Sequence, residues 1–451
     1  MNALAKPSIA LLSLGCSKNL VDSEVMLGVL AEAGYSIVED IADADVAIVN
    51  TCAFIQAAEE EAIDALLDLA EMKSQGLLDA IVCTGCLPQR YGPDLAAQLP
   101  EIDIFVQLGA ELRIAEAVRA AVTGSRTFFK GAEPYALTGA LPRWRSAPQW
   151  LSYIRIADGC DRPCSFCTIP SIRGKFRSRQ PSDVLSEYER LVAEGLKEIV
   201  LIAQDTTAYG RELQPAVSLA DLLRRMAPIS FDGWVRLMYA YPDGLDEDLL
   251  QAMAQLPALV HYLDLPLQHA SRPVLRRMRR PGDAESYLQL LATARNIMPD
   301  LAIRTTFIVG FPGETESDFQ QLLDFVTEAR FDRLSAFVFS PEEGTPAALL
   351  PDQTSIHEAF RRLEELMRVQ EAISHQLNEA LVGTRMHVLI ERRAADSNVW
   401  FARSYRDAPE VDCEVKIHLD ADAQAPRIGA FYEAQITAAE IHDLVACLLP
   451  R

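Results

Sequence analysis

The sequence predicts an α/β protein in three parts: an N-terminal parallel α/β sheet domain, a central partial (βα)6 barrel and a C-terminal small antiparallel β-barrel. Short apolar runs alternate with amphipathic stretches over the first part, and after residue 150 the alternation resumes in six strand–helix units. After Gly383 the chain changes to short β-rich runs separated by turn residues. The length of 451 residues agrees with about three domains.

Cysteines follow the apolar runs of the first part. The predicted strands are Ile9–Leu14, Val46–Val49 and Ala80–Val82, and the predicted helices are Val21–Ala33 and Glu59–Met72. Cys16, Cys52 and the pair Cys83 and Cys86 come after these strands. Because the ligand crevice of a parallel sheet lies beyond the carboxyl ends of its strands, we expect these cysteines to converge on one rim. The start of the chain is interpreted as a buried strand and not as a secretion signal, since only Lys6 precedes its short apolar run.

The central part predicts a partial barrel whose active site lies at the C-terminal ends of its strands. The predicted strands are Tyr153–Ala157, Glu198–Ala203, Val235–Ala240, Tyr262–Leu267, Ile303–Val309 and Leu334–Phe339. The predicted helices are Val184–Glu194, Ser218–Met226, Leu245–Gln255, Ala284–Asn296, Asp318–Ala329 and a later stretch at His357–Leu381. The hydroxyl of Ser218 is expected to cap its helix, since it can accept a bond from a free backbone N–H.

The tail is typical of a small barrel that serves as a recognition module. Its predicted strands are Met386–Ile390, Val399–Ser404, Val415–Leu419 and Ala430–Ile436. The predicted domains are residues 1–121, 149–380 and 381–451, and residues 122–148, where Gly, Pro and Ser recur, are the predicted linker.

Composition and charge argue against two classes of protein. The chain carries 42 basic and 64 acidic side chains, a formal net charge of -22. This balance disfavours a binder that clusters lysine and arginine against phosphates, and an acidic surface attracts basic partners. No run approaches the ~18 apolar residues that span a bilayer, so no membrane protein is expected. Two basic clusters, 173–179 and 272–280, are interpreted as solvated faces or the lining of a cofactor pocket, with RNA contact as the alternative.

Cys160, Cys164 and Cys167 form a C-x3-C-x2-C motif just after the first barrel strand. Since no secretion signal is expected, metal ligation is favoured over disulfides. Three thiolates on one short loop hold three corners of a [4Fe–4S] cube and leave the fourth iron open to a small molecule. Structural zinc needs a fourth nearby ligand, which does not follow in the next residues. A non-catalytic iron–sulfur carrier or a zinc-stabilised scaffold is the alternative from another class.

This spacing, with Phe166 before the last cysteine and a predicted barrel around it, resembles the radical S-adenosylmethionine enzymes. The resemblance implies that Cys160, Cys164 and Cys167 ligate the cluster and that S-adenosylmethionine binds its open iron. Electron transfer then cleaves the sulfonium and gives a 5′-deoxyadenosyl radical. For contact with S-adenosylmethionine we single out Gln204, Asp205, Arg304 and Gly310. Turn chemistry or strand-end packing is the alternative reading of each.

The contexts of Cys16 (SLGCSKNLVDSE), Cys52 (VNTCAFI) and Cys86 (VCTGCLPQR) look like the N-terminal domain of the methylthiotransferases. The resemblance implies a second [4Fe–4S] cluster, bound by these three cysteines and used in delivering sulfur. Cys83 is interpreted as a strand residue that faces the core. The two tail cysteines are interpreted as structural, and no residue beyond the cluster ligands is assigned as catalytic.

Methylthiotransferases modify either an adenosine of transfer RNA or an aspartate in small-subunit ribosomal protein twelve. The segments that resemble the ribosomal-protein branch include 169–174 (IPSIRG), 204–210 (QDTTAYG), 264–271 (DLPLQHAS) and 307–315 (FIVGFPGET), and the tail resembles a TRAM domain. The resemblance implies an enzyme that uses S-adenosylmethionine as radical source and methyl donor and adds a methylthio group to the β-carbon of the aspartate. The acidic surface suits a basic ribosomal protein, free or in the ribosome, better than the alternative, transfer RNA.

The same resemblance implies an electron donor, a sulfur donor of unknown identity and a cytoplasmic location.

Overall fold

A computed structural model describes residues 6–131, 138–395, 398–419 and 424–450. It confirms the predicted fold class, because a parallel sheet is followed by a barrel of six parallel strands and by a closed five-stranded barrel. None of the helices in the described ranges is long and apolar enough to cross a membrane.

The first domain is a six-stranded parallel sheet with helices on both faces. Its strands are β1 (Ser8–Ser13), β2 (Ser36–Ile37), β3 (Val46–Thr51), β4 (Ala80–Gly85), β5 (Ile104–Gln107) and β6 (Thr127–Phe129), in the order β2-β1-β3-β4-β5-β6. Its helices are α1 (Ser17–Glu32), α2 (Gln56–Ser74), α3 (Cys86–Tyr91), α4 (Pro93–Gln98) and α5 (Ile114–Val122). Two apolar clusters bury β3 and β4 on both sides, as is usual for a parallel sheet. The sequence did not predict β2, β5 or β6, and β6 lies within the stretch 122–148.

The central barrel consists of two three-stranded parallel sheets, β7-β10-β11 and β12-β13-β14. Its strands are β7 (Leu151–Arg155), β10 (Glu198–Ile202), β11 (Trp234–Leu237), β12 (Tyr262–Asp264), β13 (Ala302–Val309) and β14 (Arg333–Val338). The two-residue strands β8 (Ala157–Asp158) and β9 (Arg177–Ser178) pair antiparallel beside it. Its helices are α6 (Ile169–Arg173), α7 (Pro181–Ala193), α8 (Leu219–Met226), α9 (Glu247–Gln255), α10 (Arg272–Arg277), α11 (Ala284–Ile297), α12 (Glu316–Ala329) and α13 (Ile356–Glu379). The backbone N–H of Ala240 donates to the carbonyl of Asp264 at 2.9 Å and joins the two sheets beyond β11.

The start of α8 confirms the cap predicted at Ser218. The hydroxyl of Ser218 accepts from the N–H of Asp221 at 3.0 Å, and the Asp221 carboxylate accepts from the N–H of Ser218 at 3.0 Å. Asp283 and Thr315 close the same kind of capping box on α11 and α12. These caps satisfy backbone N–H groups that a helix start otherwise leaves free.

The C-terminal domain is a closed barrel in the order β15-β16-β17-β19-β18. Its strands are β15 (Arg385–Arg393), β16 (Val399–Ser404), β17 (Val415–His418), β18 (Phe431–Ala439) and β19 (Leu444–Leu448). The pairings are antiparallel except that β17 and β19 run parallel, and β19 was not predicted.

A floor loop, residues 405–414 between β16 and β17, closes the central barrel at the N-terminal ends of its strands. The carboxylate of Asp412 accepts from the Tyr262 hydroxyl at 2.6 Å and from Nε of Arg304 at 3.1 Å. Asp407 pairs with Arg333, the first residue of β14, at 2.6 Å. The C-terminal domain is therefore fixed to the central barrel by buried charges on the side away from the cysteine loop.

Candidate functional site

The cysteine loop of the central barrel follows β8 and carries the core triad: Cys160, Cys164 and Cys167. The N–H of Cys160 donates to the carbonyl of Gly174 at 3.1 Å. The N–H of Ser165 donates to the carbonyl of Met278 at 3.0 Å. Hydrogen bonds to two distant segments therefore hold the loop at both of its ends.

Gly159 gives the chain room to enter this loop. Its φ is +77°, and a Cβ at this position would lie 2.2 Å from the carbonyl oxygen of Lys175. Only glycine adopts this backbone conformation without strain and leaves room for such a close approach.

The core triad is a set of largely buried thiols. Burial raises the pKa of Cys160 to about 11 and that of Cys167 to about 12, and the neighbouring thiols add to the rise. Arg280 is buried, donates to Sγ of Cys164 at 3.7 Å and to the Pro266 carbonyl at 2.6 Å. A bound metal deprotonates its thiol ligands, so a positively charged iron–sulfur cluster would stabilise all three thiolates here.

A cavity of about 340 Å³ opens beside the core triad. Cys160 and Cys164 contribute to its lining together with the cations Arg162, Lys175 and Arg279. The two basic clusters noted in the sequence therefore meet at one place. Their buried members, Arg173, Arg179 and Arg280, are not on solvated faces as the sequence suggested.

The structure brings three further cysteines together at the rim of the first sheet, the first-domain triad: Cys16, Cys52 and Cys86. Cys16 precedes α1, Cys52 follows β3 and Cys86 begins α3. Glycines allow the close approach, since a Cβ on Gly15 would lie 3.0 Å from Sγ of Cys52. A Cβ on Gly85 would lie 2.7 Å from the Thr51 carbonyl oxygen.

Asn19, on the first turn of α1, connects the three segments. Its amide donates to the carbonyls of Leu14 and Thr51 at 3.0 Å each. The thiol of Cys86 donates to the side-chain oxygen Oδ1 of Asn19 at 3.7 Å. The Thr51 hydroxyl donates to the Thr84 carbonyl at 2.6 Å and links the strands before the second and third cysteines.

The charges around the first-domain triad differ from one cysteine to the next. Burial favours the neutral thiol of Cys16, but Lys18, Arg173 and two backbone N–H groups outweigh it, so its pKa is lowered. Burial raises the pKa of Cys52 and raises that of Cys86 to about 12. The side chain of Cys16 is exposed, whereas that of Cys86 is buried.

A buried ion-pair network joins the first domain to the central barrel. Asp22 of α1 pairs with Arg155 of β7 at 2.8 Å and with Arg173 of α6 at 2.8 Å. Arg173 also donates to Asn19 at 2.5 Å, so one guanidinium contacts the residue that organises the first-domain triad. Burial is strongly unfavourable for these charges unless they are paired, which makes their geometry specific.

Residues beside the two triads are in direct contact. The hydroxyl of Thr168, next to Cys167, donates to the carbonyl of Phe54, two residues after Cys52, at 3.3 Å. Lys18 lies 3.1 Å from the ring centroid of Tyr239, which follows β11 and has a left-handed φ of 62°. The interface between the two domains therefore passes between the triads.

The other cysteines lie apart from both triads. Cys83 is completely buried in β4, which confirms that it faces the core. Cys413 is half-buried within the floor loop, and burial raises its pKa to about 12. Cys447 is exposed on β19.

Two of the residues singled out for S-adenosylmethionine lie beside the cysteine loop. Asp205 is buried and accepts from Nε of Arg162, within the loop, at 2.7 Å. The amide nitrogen of Gln204 donates to Asp158 at 3.0 Å, while its Oε1 is buried without a hydrogen-bond partner in the described protein.

The other two residues singled out for S-adenosylmethionine, Arg304 and Gly310, already contact other parts of the protein. Arg304 pairs with Asp264 at 3.3 Å and with Asp412 of the floor loop at 3.1 Å. Gly310 has φ +72°, and a Cβ there would lie 2.5 Å from Cβ of Ala359 on α13. The close backbone approach at Gly310 is therefore made to a helix.

Among the described residues, no three His, Cys, Asp or Glu side chains meet in the geometry of a single-ion site. Sequence reasoning missed the polar residues that organise the triads: Asn19, Asp22, Arg155 and Tyr239. A signal was present for the first two, since five of the seven residues from Lys18 to Glu24 are polar and so occur on every side of α1; all five are buried. The contacts of Asn19 and Asp22 with Arg173 span 154 and 151 positions, and no local pattern identifies them.

Three sequence families match consecutive parts of the chain. The radical SAM superfamily matches residues 154–326, the TRAM domain matches residues 382–448, and a group described as uncharacterized protein family UPF0004 matches residues 8–107. The barrel and its C-x3-C-x2-C loop thus define the central part as a radical S-adenosylmethionine domain, which implies one [4Fe–4S] cluster and S-adenosylmethionine.

Relatives match over nearly the whole chain. The ribosomal protein uS12 methylthiotransferase RimO of Pelobacter propionicus is 44% identical over 99% of this chain and 98% of its own length. The RimO of Geobacter sulfurreducens is 45% identical over 98% of each chain. The chain belongs to the RimO family of methylthiotransferases.

Solved structures agree on the fold. The radical S-adenosylmethionine methyltransferase TsrM of Kitasatospora setae superposes with a TM-score of 0.56 at 15% identity, over 82% of this chain and 90% of its own. The cobalamin-dependent radical enzyme OxsB superposes with a TM-score of 0.53 at 14% identity, over 82% of this chain and 56% of its own.

Proposed function

We propose that the chain adds a methylthio group to the β-carbon of an aspartate in ribosomal protein uS12. The observation that carries the proposal is the presence of two cysteine triads whose flanking residues touch across one domain interface. Radical chemistry by itself would need only the core triad. A second triad beside it suits an enzyme that also delivers sulfur, and the relatives named for uS12 support this substrate.

In this proposal the core triad holds the cluster of the radical SAM domain, and the first-domain triad holds a second [4Fe–4S] cluster. When bound, the cluster of the core triad supplies the electron that cleaves S-adenosylmethionine, which serves as radical source and as methyl donor. A C–H bond beside a carboxylate is too weak an acid for side-chain bases, so a cofactor-borne radical is needed. The chain contributes ligands, orientation and the exclusion of water.

Gln204, Asp205, Arg304 and Gly310 are the proposed contacts to S-adenosylmethionine. The free Oε1 of Gln204 supports its place, since a buried acceptor without a partner suits a ribose hydroxyl. Asp205 is supported by its ion pair with the cysteine loop. Gly310 is supported only by its position after β13. Arg304 has the least support, because it pairs with Asp412 of the floor loop, which lies on the side of the barrel away from the cysteine loop.

The domains are proposed as 1–121 for the second cluster, 149–380 for the radical core and 381–451 for substrate recognition. Ribosomal proteins are basic, and the formal charge of -22 favours their approach. Since ribosomal proteins are made in the cytoplasm, the substrate would be met there. An external electron donor and a sulfur donor complete the reaction.

The test uses anaerobically reconstituted enzyme with a reductant, sulfide and S-adenosylmethionine. Ribosomal protein uS12 and transfer RNA are offered in separate reactions, and mass spectrometry detects an added methylthio group. We expect the gain on an aspartate of the protein alone. A gain on the RNA alone would replace the proposed substrate, and a lack of S-adenosylmethionine cleavage by reduced enzyme would point to a non-catalytic iron–sulfur protein.

A further inference from the structure

A buried lysine lies at the interface between the two triads. Lys18 stands on the first turn of α1, two residues after Cys16, and is 7% exposed. Its ammonium lies 3.1 Å from the centroid of the Tyr239 ring in the central barrel. Within the described part of the chain, this ammonium makes no ion pair with a carboxylate and donates no hydrogen bond.

The missing carboxylate sets Lys18 apart from the other buried cations. Across the described ranges, each buried arginine except Arg280 has a carboxylate within ion-pair distance. Arg280 donates instead to a carbonyl and to a thiol. At the interface itself, Arg155 and Arg173 both pair with Asp22. The charge of Lys18 is therefore available to a carboxylate that comes from outside the chain.

The barrel holds the Tyr239 ring in place beneath this ammonium. The N–H of Tyr239 donates to the Asp264 carboxylate at 2.9 Å, and its carbonyl accepts from the N–H of Thr206 at 3.1 Å. Its hydroxyl oxygen lies 3.3 Å from that of Ser17. A cation–π contact stabilises an ammonium over a ring and uses none of its three N–H donors, so these remain available to a ligand.

We propose that Lys18 binds the carboxylate of the substrate aspartate. The inference rests on the proposed function, which places the β-carbon of this aspartate between the radical source at the core triad and the sulfur at the first-domain triad. The carboxylate carbon is bonded directly to the β-carbon and must occupy the same space. Since a carboxylate removed from water needs a cation beside it, the unpaired ammonium at this interface is suited to hold it.

The surroundings of Lys18 admit such a ligand. Cys16 is exposed and Tyr239 is half-buried, so solvent reaches the residues on either side of the ammonium. The charge also selects the class of substrate. An aspartate brings a negative group next to the reacting carbon, whereas an adenine base is neutral and would leave the ammonium without a counter-charge.

The test compares wild-type holoenzyme with Lys18→Gln, which keeps a polar side chain and removes the charge. The probes are uS12 and a uS12 variant in which the modified aspartate, located first by mass spectrometry, is replaced by asparagine. Surface plasmon resonance under anaerobic conditions gives both dissociation constants. We expect the wild type to bind the aspartate form at least about tenfold more tightly, and Lys18→Gln to bind the two forms within about twofold of each other.

Matched variants separate the charge of Lys18 from a structural role. Lys18→Arg keeps the charge and should retain a preference for the aspartate form. Tyr239→Phe keeps the ring under the ammonium and should also retain it, while Tyr239→Leu should weaken it. Lys197→Gln removes a positive charge from a half-buried lysine directly before β10, at the opposite end of the barrel, and should match the wild type.

An undiminished preference for the aspartate form in Lys18→Gln would overturn the proposal. Loss of iron from the first-domain triad with equally weakened binding of both uS12 forms would also overturn it, because Lys18 would then serve the thiolate of Cys16. If the wild type modifies uS12 in either of these cases, the proposed function stands and only the role of Lys18 fails. If the wild type modifies transfer RNA alone, the proposed function fails and the role of Lys18 fails with it.

Discussion

The cysteines of the core triad lie within eight consecutive residues of one loop, whereas those of the first-domain triad are taken from the ends of three segments between residues 16 and 86. The first arrangement follows from local spacing and two anchoring hydrogen bonds. The second depends on strand order, on glycines at 15 and 85, and on an arginine from another domain. A site of the first kind tolerates changes elsewhere in the fold, while a site of the second kind reports on the packing of two domains.

Removal of one thiol of the core triad should have the largest effect on activity. Cys164→Ala should lower cleavage of S-adenosylmethionine by at least about a hundredfold, since a proposed cluster ligand is lost and even changes to residues around the ligands of a metal cost ten- to a hundredfold. Iron content should fall by about four atoms per chain while the first-domain cluster still assembles. The readouts are 5′-deoxyadenosine by chromatography and iron by a colorimetric assay. Cys83→Ala is the control, and retained cleavage in Cys164→Ala would remove this cysteine from the ligand set.

The reciprocal change separates the two activities. Cys16→Ala should leave 5′-deoxyadenosine formation within about threefold of wild type while the methylthio product falls by at least about a hundredfold. The reason is that the two triads lie in different domains and only the first-domain triad loses a proposed ligand. Mass spectrometry of uS12 measures the product, and equal loss of both activities would show that the triads form one unit.

The first-domain triad, unlike the core triad, depends on an arginine from another domain, and Arg173→Gln removes this arginine. It removes one of the guanidinium partners of buried Asp22 and should lower the free energy of unfolding by about 3 kcal/mol. Iron should be lost preferentially from the first-domain triad. Urea unfolding and iron content are the measurements, with Arg177→Gln, a half-buried neighbour, as control. Equal iron loss at both triads would contradict the comparison.

The last prediction concerns pH and a buried carboxyl of the first domain, Glu111. Burial and the charge of Asp22 raise the pKa of Glu111 from 4.5 to about 8. A carboxyl whose folded pKa is raised gives its stability below the unfolded pKa and loses it as pH rises through the folded pKa. Stability should therefore fall as pH rises from about 4.5 towards 8, because over this interval the folded protein holds a proton that the unfolded chain has lost. Urea unfolding at several pH values measures this, and Glu111→Gln should flatten the dependence.

The same contrast explains what the sequence predicts. The core triad, the alternating strands and the Ser218 cap are local patterns, and the structure contains the alternation and the cap as expected. Asp22 and Arg173 were not paired in advance because their contact spans 151 positions. Strand β6 has three residues between turn-forming stretches, so its sequence carries too little alternation to distinguish it from a linker. The floor loop was missed because its partners belong to another domain.

The floor loop also limits which C-terminal domains could replace the one in this chain. Arg236 donates to the backbone of Tyr405 at 2.8 Å, and Arg304 and Arg333 pair with carboxylates of the same loop. Deleting the tail would leave these three guanidiniums without those partners in the base of the radical domain. The C-terminal domain therefore cannot be exchanged freely between relatives. A chimaera should fold only when the central barrel has arginines that match the carboxylates of the floor loop supplied by the other protein.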